Sequence, residues 1–508
     1  MHMLSITSPD IASPCAAPAS FNMARYVLDA GARTPDKIAL QIVRASGAER
    51  WSYARLISAV RGTGQGLLRA GLCPGDRVLL RLGNSVDFPV AYLGALAVGL
   101  VPVPTSTQLT APEITRIAAQ VGPALVLAAA GVALPDHPAP VLDSAHLHAM
   151  RDLPPCDWHM GAPDRAGYII YTSGSGGTPR AVVHAHRAIW ARRMMWEGWY
   201  GLRADDRVLH AGAFNWTYTL GTGLMDPWAI GATALIPEAG APLALMLKRF
   251  DATIFAAVPG VYRQILKDGA KLDLPRLRHG LSAGEKLPDA TRAAWSDATG
   301  TAIYEALGMS ECSTYVSSSP ARPAPAGAAG YAQPGRHVAV LGADGLPLPR
   351  GHDGMLAIHR SDPGLMLGYL GAGDRLELPL SGEWFVTGDR ACMADDGAVT
   401  YVGRDDDMMN AGGFRVSPLE VERALALHPG ITDIACTEIE VKAGVTVIAA
   451  FYTGPEDLPA AQLEQFAATH LARYKQPRLY HHCDSLPRGA NGKLSRRALR
   501  TLHKAPSS

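Results

Sequence analysis

Between about residues 77 and 285 the chain alternates short, nearly continuous apolar runs with segments of helical periodicity, and this alternation limits the fold more than any other feature. Arg77-Val-Leu-Leu-Arg-Leu82 predicts a strand and residues 87–98 a helix, while 124–128, 168–171, 232–236 and 253–258 predict further strands. Strands apolar on both faces and separated by helices belong in parallel sheets covered on both sides, so the expected class is α/β. The helix before residue 124 opens with Thr110-Ala-Pro-Glu113, a capping box with Pro in the first turn. Pro/Ala-rich residues 134–163 and 320–330 read as surface connections.

The 508 residues are 48% apolar and 18% charged, a core-forming composition, and a formal net charge of +1 argues against a nucleic-acid surface. The seven cysteines (15, 73, 156, 312, 392, 436 and 483) are scattered and form no Cys-x-x-Cys, which disfavours a disulfide or metal framework and fits a reducing compartment. No basic segment followed by an apolar core opens the chain, and the longest apolar stretch, residues 90–103, is shorter than a bilayer span. The expectation is a cytoplasmic protein without a membrane span.

The sharpest boundary is Gly403-Arg-Asp-Asp-Asp407, where three consecutive carboxylates repel one another and favour solvent, as an exposed hinge would. Beyond it Ser417-Pro-Leu-Glu420 predicts a second capping box, with its helix ending near His428-Pro-Gly430. Strands at 431–436 and 445–452 and a helix at 460–472 follow. The expected organisation is a large N-terminal domain of parallel sheets covered by helices, residues 1–403, and a small mobile α+β C-terminal domain, residues 404–508.

Several segments carry chemistry. Tyr171-Thr-Ser-Gly-Ser-Gly-Gly-Thr-Pro-Arg180 follows an apolar run and precedes a helix-like segment; it offers backbone N–H groups, hydroxyls and a cation to phosphate oxygens. It is not a Walker A loop, which occurs nowhere in the chain. In Tyr304-Glu-Ala-Leu-Gly-Met-Ser-Glu311 a hydroxyl beside a carboxylate suits a phosphate oxygen and a Mg²⁺ ion. Glu383-Trp-Phe-Val-Thr-Gly-Asp389 offers an acid to ribose hydroxyls. Leu486-Pro-Arg-Gly-Ala-Asn-Gly-Lys493 places a lysine on a turn, from which it can project into a cleft. His184-Ala-His186 and His481-His482 lack a second ligand cluster and read as surface or loop histidines. Gly62-Thr-Gly-Gln-Gly66 lacks the dinucleotide spacing and sits in a Leu-rich helical pattern.

In this order, across residues 168–493, these segments together with the block from Tyr401 to Glu422 resemble the core signatures of the adenylate-forming (ANL) superfamily of acyl-CoA synthetases, adenylation domains and luciferases. Gly284-Glu285 within Leu281-Ser-Ala-Gly-Glu-Lys-Leu-Pro288 places the resemblance with the AMP-dependent acyl-CoA synthetases, near the benzoate and medium-chain ligases. The resemblance implies an acid–thiol ligase that uses ATP, Mg²⁺ and CoA. A carboxylate attacks the α-phosphate to give acyl-adenylate and pyrophosphate, and a thiol then displaces AMP. It further implies that Thr172, Ser173, Gly174, Ser175, Gly176, Gly177 and Thr178 hold the β- and γ-phosphates, with Arg180 nearby. Ser310 touches the α-phosphate, Glu311 binds Mg²⁺, and Lys493 bridges the substrate carboxylate and the α-phosphate. Adenine lies between Gly284, Glu285, Lys286 and Glu305, Ala306, Leu307; Asp389 and Arg404 grip the ribose, and Arg415 the phosphate side in the second conformation. Asp406 matches the hinge, and Gly412 and Gly413 line the CoA tunnel. Trp216 and Tyr218 face the acyl group, with Gly308 leaving room at the far side.

Four positions depart from the family pattern: Gly176 in place of Thr, Arg180 in place of Lys, Leu307 in place of an aromatic residue, and Asn410 where many members have Lys. Arg180 keeps the charge but presents a planar fork. The expected partners are a monocarboxylic acid without a strong charge of its own, aromatic or short to medium in chain length, with ATP and CoA; a homodimer is admitted, nucleic acid is not. Two alternatives stay open at this level: a stand-alone adenylation enzyme loading a carrier-protein thiol, and a degenerate, non-catalytic nucleotide-binding protein.

Overall fold

The computed structural model describes residues 3–7, 16–172, 179–267, 269, 271–411, 414–442, 445–471, 473–489 and 493–502. These form two compact units, one made of residues 7–338 and 358–385, the other of 1–6, 339–357 and 386–508.

In the larger unit the strands run in the order 330–332, 313–317, 303–309, 279–283, 254–257, 207–210, 233–237, 38–44 and 47–52. From Ile303–Met309 to Ile38–Arg44 every neighbouring pair is parallel. The edges are antiparallel, with Gly47–Ser52 on one side and Ser313–Ser317 and Gly330–Ala332 on the other. A second parallel sheet joins Val101–Pro104, Arg77–Arg81, Leu125–Ala128 and Val141–Asp143. Its central strands are buried on both faces, as their unbroken apolar sequence requires. The Thr110–Glu113 capping box is present at the helix Ala111–Val121.

Two expectations for this unit need correcting. Arg180–Ala185 is a strand that returns antiparallel along Ala166–Thr172, so the strands on either side of the Ser/Gly-rich segment form a hairpin and no helix follows that segment directly. The reason lies in residues 181–185, Ala-Val-Val-His-Ala, which are all buried within the fold, where β-branched Val182 and Val183 favour an extended chain. This hairpin extends to Gly368–Leu370 and Leu376–Glu377 as a small antiparallel sheet. Residues 134–163 are not a bare connection: they contain Val141–Asp143 and the helix Ser144–Arg151, capped by Asp143, which accepts from the His146 N–H.

The smaller unit contains the antiparallel pair Trp384–Met393 and Ala398–Arg404, which begins just outside it, the short pair Met409–Ala411 and Phe414–Val416, and a sheet of Asp433–Lys442, Val445–Thr453 and Leu479–His482. Helices Pro418–Leu425, Ala460–His470 and Arg496–Leu502 accompany that sheet, an α+β arrangement. Ser417 does not complete a capping box; its hydroxyl donates to the Val402 carbonyl, tying the helix start to the strand before the acidic run. Nor do the three consecutive carboxylates simply face solvent. Each is matched to its own arginine: Asp405 with Arg390 at 3.5 Å, Asp406 with Arg404 at 3.3 Å and Asp407 with Arg496 at 3.6 Å. His481 and His482 sit in a strand against Phe451 and Tyr452 and not in a loop.

Arg496 is the hub of the C-terminal region. It donates to Glu422 at 2.6 Å and to the Cys436 carbonyl at 3.1 Å, and Glu422 also accepts from the Cys436 N–H at 2.7 Å. Removing one member of such a buried pair strands the other, at about 3–5 kcal/mol. Arg496→Ala should therefore raise hydrogen exchange throughout Asp433–Lys442, while Arg496→Met combined with Glu422→Leu recovers most of the protection; unchanged exchange in the single variant would contradict this.

Candidate active site

The turn Met309-Ser-Glu-Cys-Ser313 joins the strands Ile303–Met309 and Ser313–Ser317, and it is anchored at almost every residue. The Ser310 carbonyl accepts from His184 Nε2 at 2.7 Å and the Glu311 carbonyl from the Met366 N–H at 2.8 Å. The Cys312 carbonyl accepts from the fully buried Arg336 at 2.9 Å, and Arg336 Nε lies 3.2 Å from the equally buried Asp362. Arg192 donates to the Ser313 hydroxyl and, at 2.9 Å, to the buried Asp226. Ser313 takes φ +60°, a left-handed conformation that L residues with a side chain adopt at a cost, so the Arg192 contact holds a strained residue in place. Two buried Arg–Asp pairs thus fix the turn that presents Ser310 and Glu311.

Glu311 is buried, and its Oε1 accepts from the Tyr369 hydroxyl at 2.7 Å. The Arg180 guanidinium lies 3.7 Å from Glu311 and 4.1 Å over the Tyr369 ring, a cation–π contact at the start of the strand Arg180–Ala185. Arg180 is half-exposed, so it keeps access to an anion arriving from solvent. This fits Mg²⁺, which takes one or two carboxylates and completes its shell with substrate phosphates and water. Among the described residues no group of three or more His, Cys, Asp or Glu is placed to hold a metal ion.

Glu305 is engaged differently from the expectation. Its buried carboxylate accepts from Arg292 at 3.0 Å, Lys286 at 3.2 Å and the Leu287 N–H at 2.9 Å. The charges of Lys286 and Glu305 therefore fix the 284–287 loop, and Gly284 in that loop has φ +100°. Ala306 is buried in the core, and Leu307 is half-buried. Gly308 has a packing reason of its own: a Cβ there would lie 2.5 Å from the Ser313 carbonyl oxygen and 2.6 Å from the Thr314 Cα, so the room it leaves is filled by backbone.

The segment at 212–221 is braced by Asn84, which donates to the Gly212 carbonyl at 2.7 Å and accepts from the Phe214 N–H at 3.0 Å. The Tyr218 hydroxyl donates to the Leu281 carbonyl at 3.1 Å, and its ring stacks on Trp199 at 5.8 Å and meets the His210 ring at 4.4 Å. Trp216 is half-buried in the same segment. The chain then enters a seven-residue π-helix, Thr219–Met225, a rare geometry concentrated at functional sites.

The smaller unit carries its own group. Asp389 is buried on the strand Trp384–Met393 and accepts from Arg404 at 3.3 Å, while Arg404 also donates to the Thr387 carbonyl at 3.0 Å. A Cβ on Gly388 (φ +78°) would lie 2.8 Å from the Arg404 guanidinium, which explains glycine in Thr-Gly-Asp. Burial raises the Asp389 pKa above the usual carboxylate value, opposed by Arg404 and by the ammonium of Lys493. Lys493 itself is exposed, beside a β-bridge between Arg488 and Leu494. Ser173, Gly174, Ser175, Gly176, Gly177, Thr178, Gly412 and Gly413 lie outside the described residues, as do the side chains of Asn410 and Arg415. Thr172 ends the strand before the loop, opposite Arg180.

Sequence reading missed Tyr369, Arg192, Asp226, Arg336, Asp362 and Asn84, and it misplaced His184 and His186. Both histidines are buried; His186 Nδ1 accepts from the Met23 N–H at 3.1 Å.

A buried carboxylate beside a half-exposed cation thus sits just past the end of Ile303–Met309, a strand of the parallel sheet. Residues 27–370 match the AMP-binding enzyme family and residues 420–493 the AMP-binding enzyme C-terminal domain. The benzoate–CoA ligase of Thauera aromatica is 31% identical over 94% of this chain and 92% of its own length. The 4-hydroxybenzoate–CoA/benzoate–CoA ligase of Rhodopseudomonas palustris is 31% identical over 89% of both. Among solved structures, the anthranilate CoA ligase AuaEII in complex with anthranoyl-AMP superposes with a TM-score of 0.86, at 25% identity over 96% of this chain and 98% of that one. A benzoate CoA ligase from Burkholderia xenovorans LB400 does so with a TM-score of 0.82, at 27% identity over 94% and 100%. The chain belongs to the AMP-binding enzyme family and is an AMP-forming acid–thiol ligase. Among the described residues no helix is long and apolar enough to cross a membrane.

Two outcomes follow from this geometry. Gly308→Ala should destabilise the larger unit by about 1–3 kcal/mol, because the clash is with backbone; a thermal midpoint equal to that of the unaltered protein would contradict it. Burial also lowers His184 and His279 to about 4 and His186 and His210 to about 3. The unfolded chain, with ordinary histidines near 6.5, takes up protons that the folded chain refuses. Stability is therefore full above about pH 6.5 and falls as pH drops toward 4, by about 1.4 kcal/mol per pH unit for each histidine. Urea unfolding at pH 7.0 and 5.5 checks this, with a lower midpoint expected at pH 5.5 and an unchanged one contradicting it.

Proposed function

We propose that the protein is a cytoplasmic acyl-CoA synthetase that joins an aromatic or short-to-medium-chain monocarboxylic acid to CoA through an acyl-adenylate. The reading rests on the Glu311–Tyr369–Arg180 cluster, a single buried carboxylate and a half-exposed cation set beside the phosphate loop. It is supported by aryl- and acyl-CoA ligases similar to this chain along nearly its whole length.

The first half-reaction brings a carboxylate to a polyanion, so the protein has to place positive charge where negative charge develops. In this proposal Lys493 supplies that charge between the acid and the α-phosphate, Ser310 donates its hydroxyl to the α-phosphate, and residues 172–178 with Arg180 hold the β- and γ-phosphates. Glu311 is the residue that would hold Mg²⁺, which when bound neutralises phosphate charge. Gly284, Glu285 and Leu307 border the adenine, and Asp389 and Arg404 hold the ribose. Rotation at Asp406, between a domain of residues 1–403 and one of 404–508, then withdraws Lys493, brings in Arg415 and lines the thiol path with Gly412 and Gly413. The ion pairs of Asp405, Asp406 and Asp407 would exchange during that rotation.

Pyrophosphate release with Mg·ATP, assayed with and without CoA across benzoates, cyclohexanecarboxylate and linear acids from acetate to decanoate, tests the reading. CoA-stimulated turnover is expected on ring or medium-chain acids. Release that CoA does not accelerate, or silence with every acid, would overturn it. Lys493→Ala should lose adenylation by at least about 100-fold while still forming thioester from preformed acyl-AMP; equal loss of both half-reactions would remove Lys493 from its assigned role.

A further inference from the structure

His210 ends the strand Arg207–His210, at the C-terminal side of the parallel sheet where α/β proteins bind their ligands. Its side chain is buried, and neither ring nitrogen has a hydrogen-bond partner among the described residues. The neighbouring Thr219 is buried as well, and its hydroxyl is equally without a partner. Tyr218 cannot meet the need, because it presents only its ring to the imidazole, at 4.4 Å, and commits its hydroxyl to the Leu281 carbonyl.

The two unpartnered groups converge. A Cβ on Gly212 would lie 2.3 Å from the Thr219 hydroxyl oxygen and 3.1 Å from His210 Nδ1, so only glycine leaves them side by side. Asn84 grips the Gly212 carbonyl and the Phe214 N–H, which holds that backbone still. On the other side Gly223 makes room for the His210 Cβ, which its own Cβ would approach to 2.8 Å. Thr219 is the first residue of the π-helix Thr219–Met225.

A neutral imidazole has one N–H to donate and one lone pair to accept, and a threonine hydroxyl can do either. Such a pair complements a hydroxyl or amino group, which also donates and accepts, and it is poorly matched to a methyl group or a bare ring edge. We infer that the acid carries a hydrogen-bonding substituent, hydroxyl or amino, on an aromatic ring, and that His210 and Thr219 receive it. This inference rests on the acyl-CoA synthetase reading and on residues 213–221 forming the acyl wall.

The test is the ratio of kcat/KM for pyrophosphate release with each hydroxy- and aminobenzoate isomer to that with the methylbenzoate of the same substitution pattern. At least one ratio should be roughly 10–100 in the unaltered enzyme. His210→Phe should bring that ratio to within about threefold of unity, and His210→Gln, which keeps a donor and an acceptor, should preserve most of it. Ratios near unity throughout, turnover of linear acids alone, or a His210→Phe variant with the ratio intact would each overturn the inference while leaving the ligase reading standing. Silence with every acid would overturn both. Because the variants could fail to fold, the unaltered protein provides a second readout: the ¹⁵N resonances of the His210 ring should shift on adding the preferred hydroxy or amino acid and not its methyl counterpart, and equal shifts would overturn the assignment.

Discussion

The active-site arrangement depends on two buried arginines holding one turn. Arg336 with Asp362 and Arg192 with Asp226 meet residues 312 and 313 from different parts of the larger unit. Burying four charges is expensive, since the effective penalty is several kcal/mol per ion, and apolar replacements of buried pairs are often neutral or stabilising. Stability alone is therefore a poor account of these pairs. What they do that a leucine could not is donate to a carbonyl and to the hydroxyl of a residue in left-handed geometry. With His184 on the Ser310 carbonyl and Tyr369 on the Glu311 carboxylate, the turn is held from several sides at once.

Preorganisation of this kind suits the chemistry. Negative charge meets negative charge in the first half-reaction, and fixed dipoles and charges that need no rearrangement are the effective way to stabilise the transition state. The cation at the loop exit is an arginine, whose planar fork can lie flat on Tyr369 and still reach Glu311; a lysine would offer a point charge without the stacking surface. The charged network around Glu305 does the same for the 284–287 loop. In the smaller unit, Arg404 spans Asp389 and Asp406, so the two carboxylates share one guanidinium.

Much of this was legible in the sequence. The parallel strands and the Thr110–Glu113 cap follow from local pattern, and the motifs that single out Glu311, Asp389 and Lys493 for the proposed site are read from motif order; both are short-range signals. The misses are long-range. Nothing near Arg336 in the sequence points to Asp362 or to the Cys312 carbonyl, and Arg192 finds Ser313 from 121 residues away. The hairpin at Arg180 was hidden because Ala-Val-Val-His-Ala fits a buried strand or a buried helix start, and only pairing with residues 166–172 decides between them. Ser417 carried a correct capping pattern, but tertiary structure offered its hydroxyl the Val402 carbonyl instead. His184 was misjudged because a histidine pair was weighed only as metal ligand or surface residue, when its place was a core hydrogen bond.

The central claim is that the Ser310–Glu311 turn is set before nucleotide arrives. Hydrogen exchange of the peptide spanning residues 306–314, measured on the unliganded protein and again with Mg²⁺ and a non-hydrolysable ATP analogue, tests it directly. The account predicts strong protection without nucleotide and little further gain on binding. Rapid exchange in the free protein, with protection appearing only when the nucleotide binds, would show that the ligand builds the turn and would contradict the account.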